Sequence, residues 1–244
     1  MQYGKFAKVY DKLMDGAGCD GWAEYVSGFI PKDATVLECA CGTGEISLRL
    51  AKMGFKLTAT DISEDMLMVA AEKQRSMGLA ASGLRFVRMD MRSIELPKRV
   101  GCVLACCDGV NYLTSREDVK AFFASANAAL KKDGVLLFDV SSRYKLENVL
   151  GNNCFVESGS ELAYLWQNNY DEKSKLIEMR LSFFQKKGGL YERFDETHIQ
   201  RAHSVRELGA WLNEAGFEYE AYGFMTRSAP AEDAERIQFT ARKI

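Results

Sequence analysis

Apolar positions along the first 140 residues alternate between short continuous runs and runs spaced three and four apart. The continuous runs at Ala34–Cys39, Lys56–Thr60, Leu84–Met89, Gly101–Cys107 and Val135–Val140 read as strands, with helices between them. Ile46, Leu50 and Met53 recur at helical spacing over Glu45–Met53, and Gly54 stops that helix. Ser63 opens the next helix with Glu64 and Asp65 in its first turn, facing the positive end of the dipole; it runs to about Met77 and ends at Gly78. Ser115 and Asp118 form a capping-box pattern for a helix to about Leu130, and Lys132-Asp133-Gly134 is the turn into the fifth strand. Strands alternating with helices of about 10–15 residues imply parallel pairing through right-handed crossovers.

After Ser141 the period shifts to two. Between about Cys154 and Arg201, alternating stretches at Tyr164–Tyr170, Leu176–Phe184 and Tyr191–Ile199 are separated by Asp171-Glu172-Lys173 and by Lys186-Lys187-Gly188-Gly189. Those separators are hairpin signals, so a small antiparallel sheet is predicted as an insertion after the fifth strand. Helical spacing resumes at Ser204, with Glu207 as its capping partner, and ends at Gly216; Phe217–Phe224 and Arg236–Arg242 read as two last strands. The first 30 residues read as two amphipathic helices, one carrying Phe6, Val9, Tyr10 and Leu13, the other Trp22, Tyr25, Val26 and Phe29. The predicted class is α/β, a seven-stranded and mostly parallel sheet flanked by helices.

Composition narrows the function classes. The chain has 244 residues with 32 Lys and Arg against 34 Asp and Glu, a formal net charge of −2. Nucleic-acid and membrane surfaces need clustered cations, so neither is an expected partner. No apolar run approaches the roughly 20 residues that span a bilayer. Lys5, Lys8, Asp11, Lys12 and Asp15 interrupt the first turns, where a signal peptide would need an apolar core. The seven cysteines are odd in number and form no C-x-x-C pair, so reduced, buried thiols in a cytoplasmic protein are expected, with no metal site. A monomer or homodimer is expected.

The densest chemical signal follows the first strand: Val36-Leu37-Glu38-Cys39-Ala40-Cys41-Gly42-Thr43-Gly44, then a helix. Small residues at 40, 42 and 44 let the backbone turn tightly and approach a ligand. A dinucleotide fingerprint, G-x-G-x-x-G, does not fit. Started at Gly42 it requires glycine where Ser47 stands; started at Ala40 it lacks its first glycine and meets Glu45. Glu38 would also repel a pyrophosphate, whereas it suits a ligand bearing an ammonium group.

This segment resembles the first motif of the class I S-adenosylmethionine-dependent methyltransferases, E/D-x-G-x-G-x-G, with Ala40 in place of the first glycine. The resemblance runs over nearly the whole chain and is nearest the branch that methylates small molecules, similar to glycine and amino-sugar N-methyltransferases. It implies one domain, 1–244, made of an N-terminal helical lid (1–30), a Rossmann-like core (31–152 and 202–244) and the antiparallel insertion (153–201), with S-adenosylmethionine as cofactor. It carries over Glu38 and the loop Ala40, Cys41, Gly42, Thr43 and Gly44 as cofactor-binding. Asp61 falls where the family's acidic residue binds the ribose hydroxyls, with Ile62 and Met66 beyond it, and Asp90-Met91 falls at the adenine. Cys107-Asp108-Gly109-Val110-Asn111-Tyr112 closes the fourth strand, where family members border the methionine part and the substrate; Cys107 and Asn111 are expected at the cofactor. Tyr10 and Trp22 are expected to reach it from the lid.

The implied reaction is in-line methyl transfer to a small-molecule acceptor, an amine nitrogen first. Protein or RNA methylation, and a non-methylating cofactor-binding member of the fold, stay open as alternatives. Asp108 and Tyr112 are candidates for catalysis and substrate contact by position. If the acceptor needs a base, His198 is the histidine placed for it, at the end of an inserted strand leading back into the core, with Glu196 and Gln200 on its face. Arg201 is a second substrate candidate. His203, just before the Ser204 cap, reads as structural.

Overall fold

The computed structural model of the chain describes residues 4–14, 16, 18–80 and 82–244. Residues 1–3, Asp15 and Ala17 of the expected lid lie outside the described residues. The N-terminal pair of helices is α1 (Gly4–Leu13) and α2 (Cys19–Ser27). The alternating part follows as β1 (Thr35–Glu38), α3 (Glu45–Lys52), β2 (Lys56–Asp61), α4 (Glu64–Ser76), β3 (Arg85–Arg88), β4 (Val100–Ala105), α5 (Arg116–Ala129) and β5 (Leu130–Ser141). The insertion contributes β6 (Cys154–Ser158), β7 (Leu162–Asp171), β8 (Leu176–Lys187) and β9 (Leu190–Arg201), and the chain closes with α6 (Val205–Glu214), β10 (Phe217–Gly223) and β11 (Arg236–Lys243).

Among the described residues, seven strands form one sheet in the order β10-β11-β5-β4-β1-β2-β3. β1 pairs in parallel with β2 on one side and β4 on the other, while β11 runs antiparallel to both β5 and β10. The chain therefore leaves β1 toward one edge and β4 toward the other, and the loops beyond these two neighbours part to leave a crevice at their carboxyl ends. Both faces of the sheet are covered. Val36, Leu57, Ala59, Cys102 and Leu104 pack under Trp22 and Val26 of α2 and Ile46 and Leu50 of α3. Their alternates Leu37, Cys39, Val103, Ala105 and Phe138 pack against Phe122 and Phe123 of α5 and Leu208 and Leu212 of α6. A strand buried on both sides reads as a continuous apolar run, which is why these strands were visible in the sequence.

Two details differ from expectation. β5 begins at Leu130, directly from α5, and its register against β4 shifts so that Val100 pairs with Leu130 but Cys102 with Val135. The expected turn is thus a bulge within the strand, with Asp133 at φ 59°. At the α5 cap, Asp118 N–H donates to Ser115 Oγ at 3.0 Å, but the Asp118 carboxylate accepts from that hydroxyl and from Arg92 instead of completing a box. The reciprocal box does form at Ser204 and Glu207.

The insertion is a second, wholly antiparallel sheet in the order β6-β7-β8-β9. Its strands are longer than the apolar alternation indicated, and β6 was not foreseen because all five of its residues are exposed. Ile177, Met179, Leu181 and Phe183 on β8 pack with Phe6 and Val9 of α1, and Met66 of α4 joins the same cluster. A 3₁₀ turn at Gly109–Tyr112 and a π-helical segment at Lys145–Leu150 complete the description. No described helix is long and apolar enough to cross a membrane.

Candidate active site

A cavity of about 310 Å³ opens at the carboxyl ends of β1, β2 and β4 and is roofed by α1 and the end of β9. This is the size range of small-molecule sites. Of the sequence-expected residues, Tyr10, Glu38, Ala40, Cys41, Gly42, Thr43, Asp61, Ile62, Met66, Asp90, Met91, Cys107, Tyr112 and His198 all lie on its wall.

One end is built on the loop after β1. Ala40 and Gly42 take left-handed φ values of 51° and 54°, and a Cβ on Gly42 would meet only Tyr10, at 3.9 Å. Gly42 N–H donates to Asp61 Oδ2 at 2.8 Å, and Ser63 N–H donates to Asp61 Oδ1 at 2.8 Å. The aspartate therefore fixes the loop and also stands on the cavity wall. Gly44 is not on the wall. It caps α3 at φ 78°, where a Cβ would stand 3.0 Å from Phe86 and 3.1 Å from Ala70. Thr43 Oγ1 donates to Asp11 Oδ1 at 2.5 Å, and Lys73 Nζ holds the other oxygen at 2.8 Å, so α1 is tied to both the loop and α4.

Glu38 is buried beneath this loop and accepts from the Ser47 hydroxyl. Burial pushes its carboxyl up to about 7, with Asp61 adding in the same direction and the Ser47 hydrogen bond opposing. Asp61 is also raised by burial, against the pull of the Ser63 and Gly42 N–H groups. Asp90 at the far edge lies below the ordinary carboxylate range because Arg92 grips both its oxygens, at 3.0 and 2.6 Å. Arg92 reaches on to Asp118 at 2.7 Å. That arginine was not singled out in the sequence.

The opposite end is aromatic. Phe6 stands 5.6 Å from Tyr10 and 4.8 Å from the His198 ring, and Tyr112 Oη lies 3.3 Å from His198 Nδ1. Burial lowers the His198 pKa, with the Asp108 charge opposing, so the imidazole is neutral near pH 7.

Besides Gly44, four expected site residues lie off the wall. Trp22 is packed in the core, against Phe224 and under the Arg236 guanidinium, because its helix face meets the sheet and not the cavity. Asn111 is buried and spends its amide on main chain, donating to Ser141 O at 3.0 Å and Arg201 O at 2.9 Å and accepting from Ser141 N–H. Arg201 turns to Glu207, at 3.5 Å, and is not on the wall. Asp108 is also off the wall, its oxygens taken by Arg236 Nη2 at 2.8 Å and Gln200 Nε2 at 2.8 Å. The sequence did carry a signal for the last arrangement: Asp139, an acid inside the apolar run Val135–Val140, is fully buried and pairs with Arg236. His203 donates its Nε2–H to Leu113 O at 3.0 Å and is not itself on the cavity wall.

A family profile described as a methyltransferase domain matches residues 36–134. The Bacillus subtilis (strain 168) protein YqeM, whose name specifies methyl transfer and no acceptor, is 39% identical over 247 residues, covering 100% of this chain and 98% of its own. The solved structure of a S-adenosylmethionine-dependent methyltransferase from Clostridium acetobutylicum ATCC 824 has 31% identity and a TM-score of 0.87, covering 99% of this chain and 98% of that one. The dTDP-3-amino-3,6-dideoxy-alpha-D-glucopyranose N,N-dimethyltransferase of Streptomyces fradiae is 27% identical over 142 residues, 56% of this chain and 53% of its own.

Proposed function

Because the chain belongs to the S-adenosylmethionine-dependent methyltransferases, we propose that its acceptor is a small-molecule amine, methylated at the aromatic end of the cavity. The wall residues fit the cofactor. A buried acid underlies a loop whose glycine leaves open space above it, and a second acid stands at the next strand end. Glu38 and residues 40–43 would hold the methionine part, Asp61 the ribose hydroxyls, and Asp90 with Met91 the adenine. When bound, the cofactor supplies an electrophilic methyl group on a sulfonium.

The observation that carries the amine reading is the group formed by Phe6, Tyr10, Tyr112 and a neutral His198. Aromatic faces attract a cationic nitrogen, before and after it gains a methyl group. An ammonium must shed a proton to become nucleophilic, and Tyr112 Oη, at 3.3 Å from His198 Nδ1, gives that proton a route to the imidazole. The rest of the work is placement at attack distance and exclusion of water, worth up to about 7–11 kcal/mol. The amino-sugar relative supports the reading through the nitrogen in its name.

The test is methyl transfer from labelled S-adenosylmethionine to a panel of small primary and secondary amines with matched alcohols. Label is expected in the amines. Label in the alcohols, or only in added RNA or protein, overturns the reading.

A further inference from the structure

We propose that Arg236 is a positioning residue, which fixes the Cys107-Asp108 turn at the cavity edge and screens the Asp108 charge from His198. Cys107 and Asp108 are consecutive non-glycine residues in the left-handed region, at φ 62° and 52°. Such backbone persists only where its surroundings over-determine it. Here Asp139, fully buried on β5, accepts from the N–H of Cys107 at 2.8 Å and of Asp108 at 3.0 Å. Arg236, on β11, donates to Asp139 through Nη1 and to Asp108 through Nη2, while Gln200 of the insertion takes the second Asp108 oxygen. The guanidinium sits over the Trp22 ring at 4.9 Å and the Phe224 ring at 5.6 Å. A planar fork of five donors suits two carboxylates and two aromatic faces; the point charge of a lysine does not.

The turn matters because Cys106, Cys107 and Gly109 face the cavity. A Cβ on Gly109 would stand 2.9 Å from Ala40 Cβ, so the turn packs directly against the loop after β1. Charge reaches the other end as well. Asp108 favours the His198 imidazolium against burial, and with one arginine between two acids the cluster is already net negative. Among the described residues, the titratable groups around His198 include Tyr112 on the 3₁₀ turn, Tyr10 on α1 and Glu196 on its own strand face. Without Arg236 the Asp108 charge acts on the imidazole undiminished.

The chain has two histidines, so their imidazole NMR signals are separable and His198→Gln assigns them. His198 is titrated in the free protein, and S-adenosylhomocysteine affinity is measured by calorimetry, in wild type, Arg236→Met, Arg236→Lys and Asp108→Asn. Arg236→Met should raise the His198 midpoint by about half a pH unit or more and weaken S-adenosylhomocysteine about tenfold. Arg236→Lys should hold the midpoint near wild type while affinity falls, and Asp108→Asn should lower the midpoint. A folded Arg236→Met protein with either value at wild type overturns the proposal. If that variant does not fold, wild-type affinity in Arg236→Lys or an unmoved midpoint in Asp108→Asn overturns it instead. The inference deepens the proposed reading of His198, but its readouts need no acceptor, so a failed amine panel would leave it standing.

Discussion

Ser47 donates its hydroxyl to the buried Glu38 carboxyl across the first turn of α3. The residue that breaks the dinucleotide glycine pattern is thus the one that supports the acid under the loop. A third glycine there would leave Glu38 without this partner in a dry site, where an unsatisfied acid is costly.

Burial still dominates at Glu38, and its pKa near 7 against an ordinary 4.5 has a definite sign. Between those values the folded chain binds the extra proton, so this group's contribution to stability falls as pH rises through the window, by up to about 1.4 kcal/mol per pH unit. An ammonium partner favours the ionised form. S-adenosylhomocysteine binding should therefore tighten by up to about tenfold per unit as pH rises toward 7, with proton release below it. Asp61 is the other acid facing Glu38, and the neighbouring Cys39 and Cys106 thiols are pushed well above this range by burial. Calorimetry in buffers of different ionisation enthalpy reads the proton, and Glu38→Gln should flatten the slope. A pH-independent wild-type affinity would refute the linkage.

Asp61→Ala should weaken S-adenosylhomocysteine by about 1.5–3 kcal/mol, the scale of hydrogen bonds to a charged group, because it removes a ligand contact and frees the Gly42 N–H together. Equal affinity in a variant with a native circular dichroism spectrum would take Asp61 out of the site.

For His198→Ala, turnover should fall by about 10²–10⁴ with nearly constant cofactor affinity if the imidazole is a base. Tyr112→Phe should move the same parameter less. A loss confined to the acceptor's KM assigns orientation instead, and wild-type kinetics in both variants would leave the ring pair without a role.

Asp11 ties α1 to Thr43 and Lys73, so amide exchange over residues 4–14 should slow when S-adenosylhomocysteine binds. Asp11→Ala should raise exchange there in the free protein. Unaltered exchange in both experiments would show that α1 is no lid.

Gly209 of α6 has no room for a methyl group: a Cβ would stand 2.0 Å from Tyr219 Oη and 2.2 Å from Cζ. Gly209→Ala should cost about 1–3 kcal/mol by overpacking. Adding Tyr219→Ala should recover part of the loss in thermal melts; a double variant no better than the sum of the singles would place the strain elsewhere.

The parallel core was legible because strands covered on both faces leave uninterrupted apolar runs, and because Ser63 and Ser204 announce their helices. The exposed strand β6 left no such mark. Trp22 shows the limit of pattern reading, since an apolar helix face looks the same whether it meets a sheet or a ligand. Asp139 is a different case. An acid within a buried strand demands a cation, yet its partner Arg236 lies 97 residues away in sequence and only the folded sheet brings them together.

The Asn111 amide holds both Ser141, where the chain departs from the core, and Arg201, where it returns. A segment whose two ends meet at one side chain adds little closure entropy however long it grows, and such junctions tolerate wholesale replacement. Everything between them can diverge in length and shape while the sheet and the loop after β1 stay fixed. On the proposed reading, that stretch supplies His198 to the acceptor end, while Phe6, Tyr10 and Tyr112 come from outside it. A lineage could exchange that share of the acceptor end by recombination within the stretch, provided it keeps the asparagine that closes the gap.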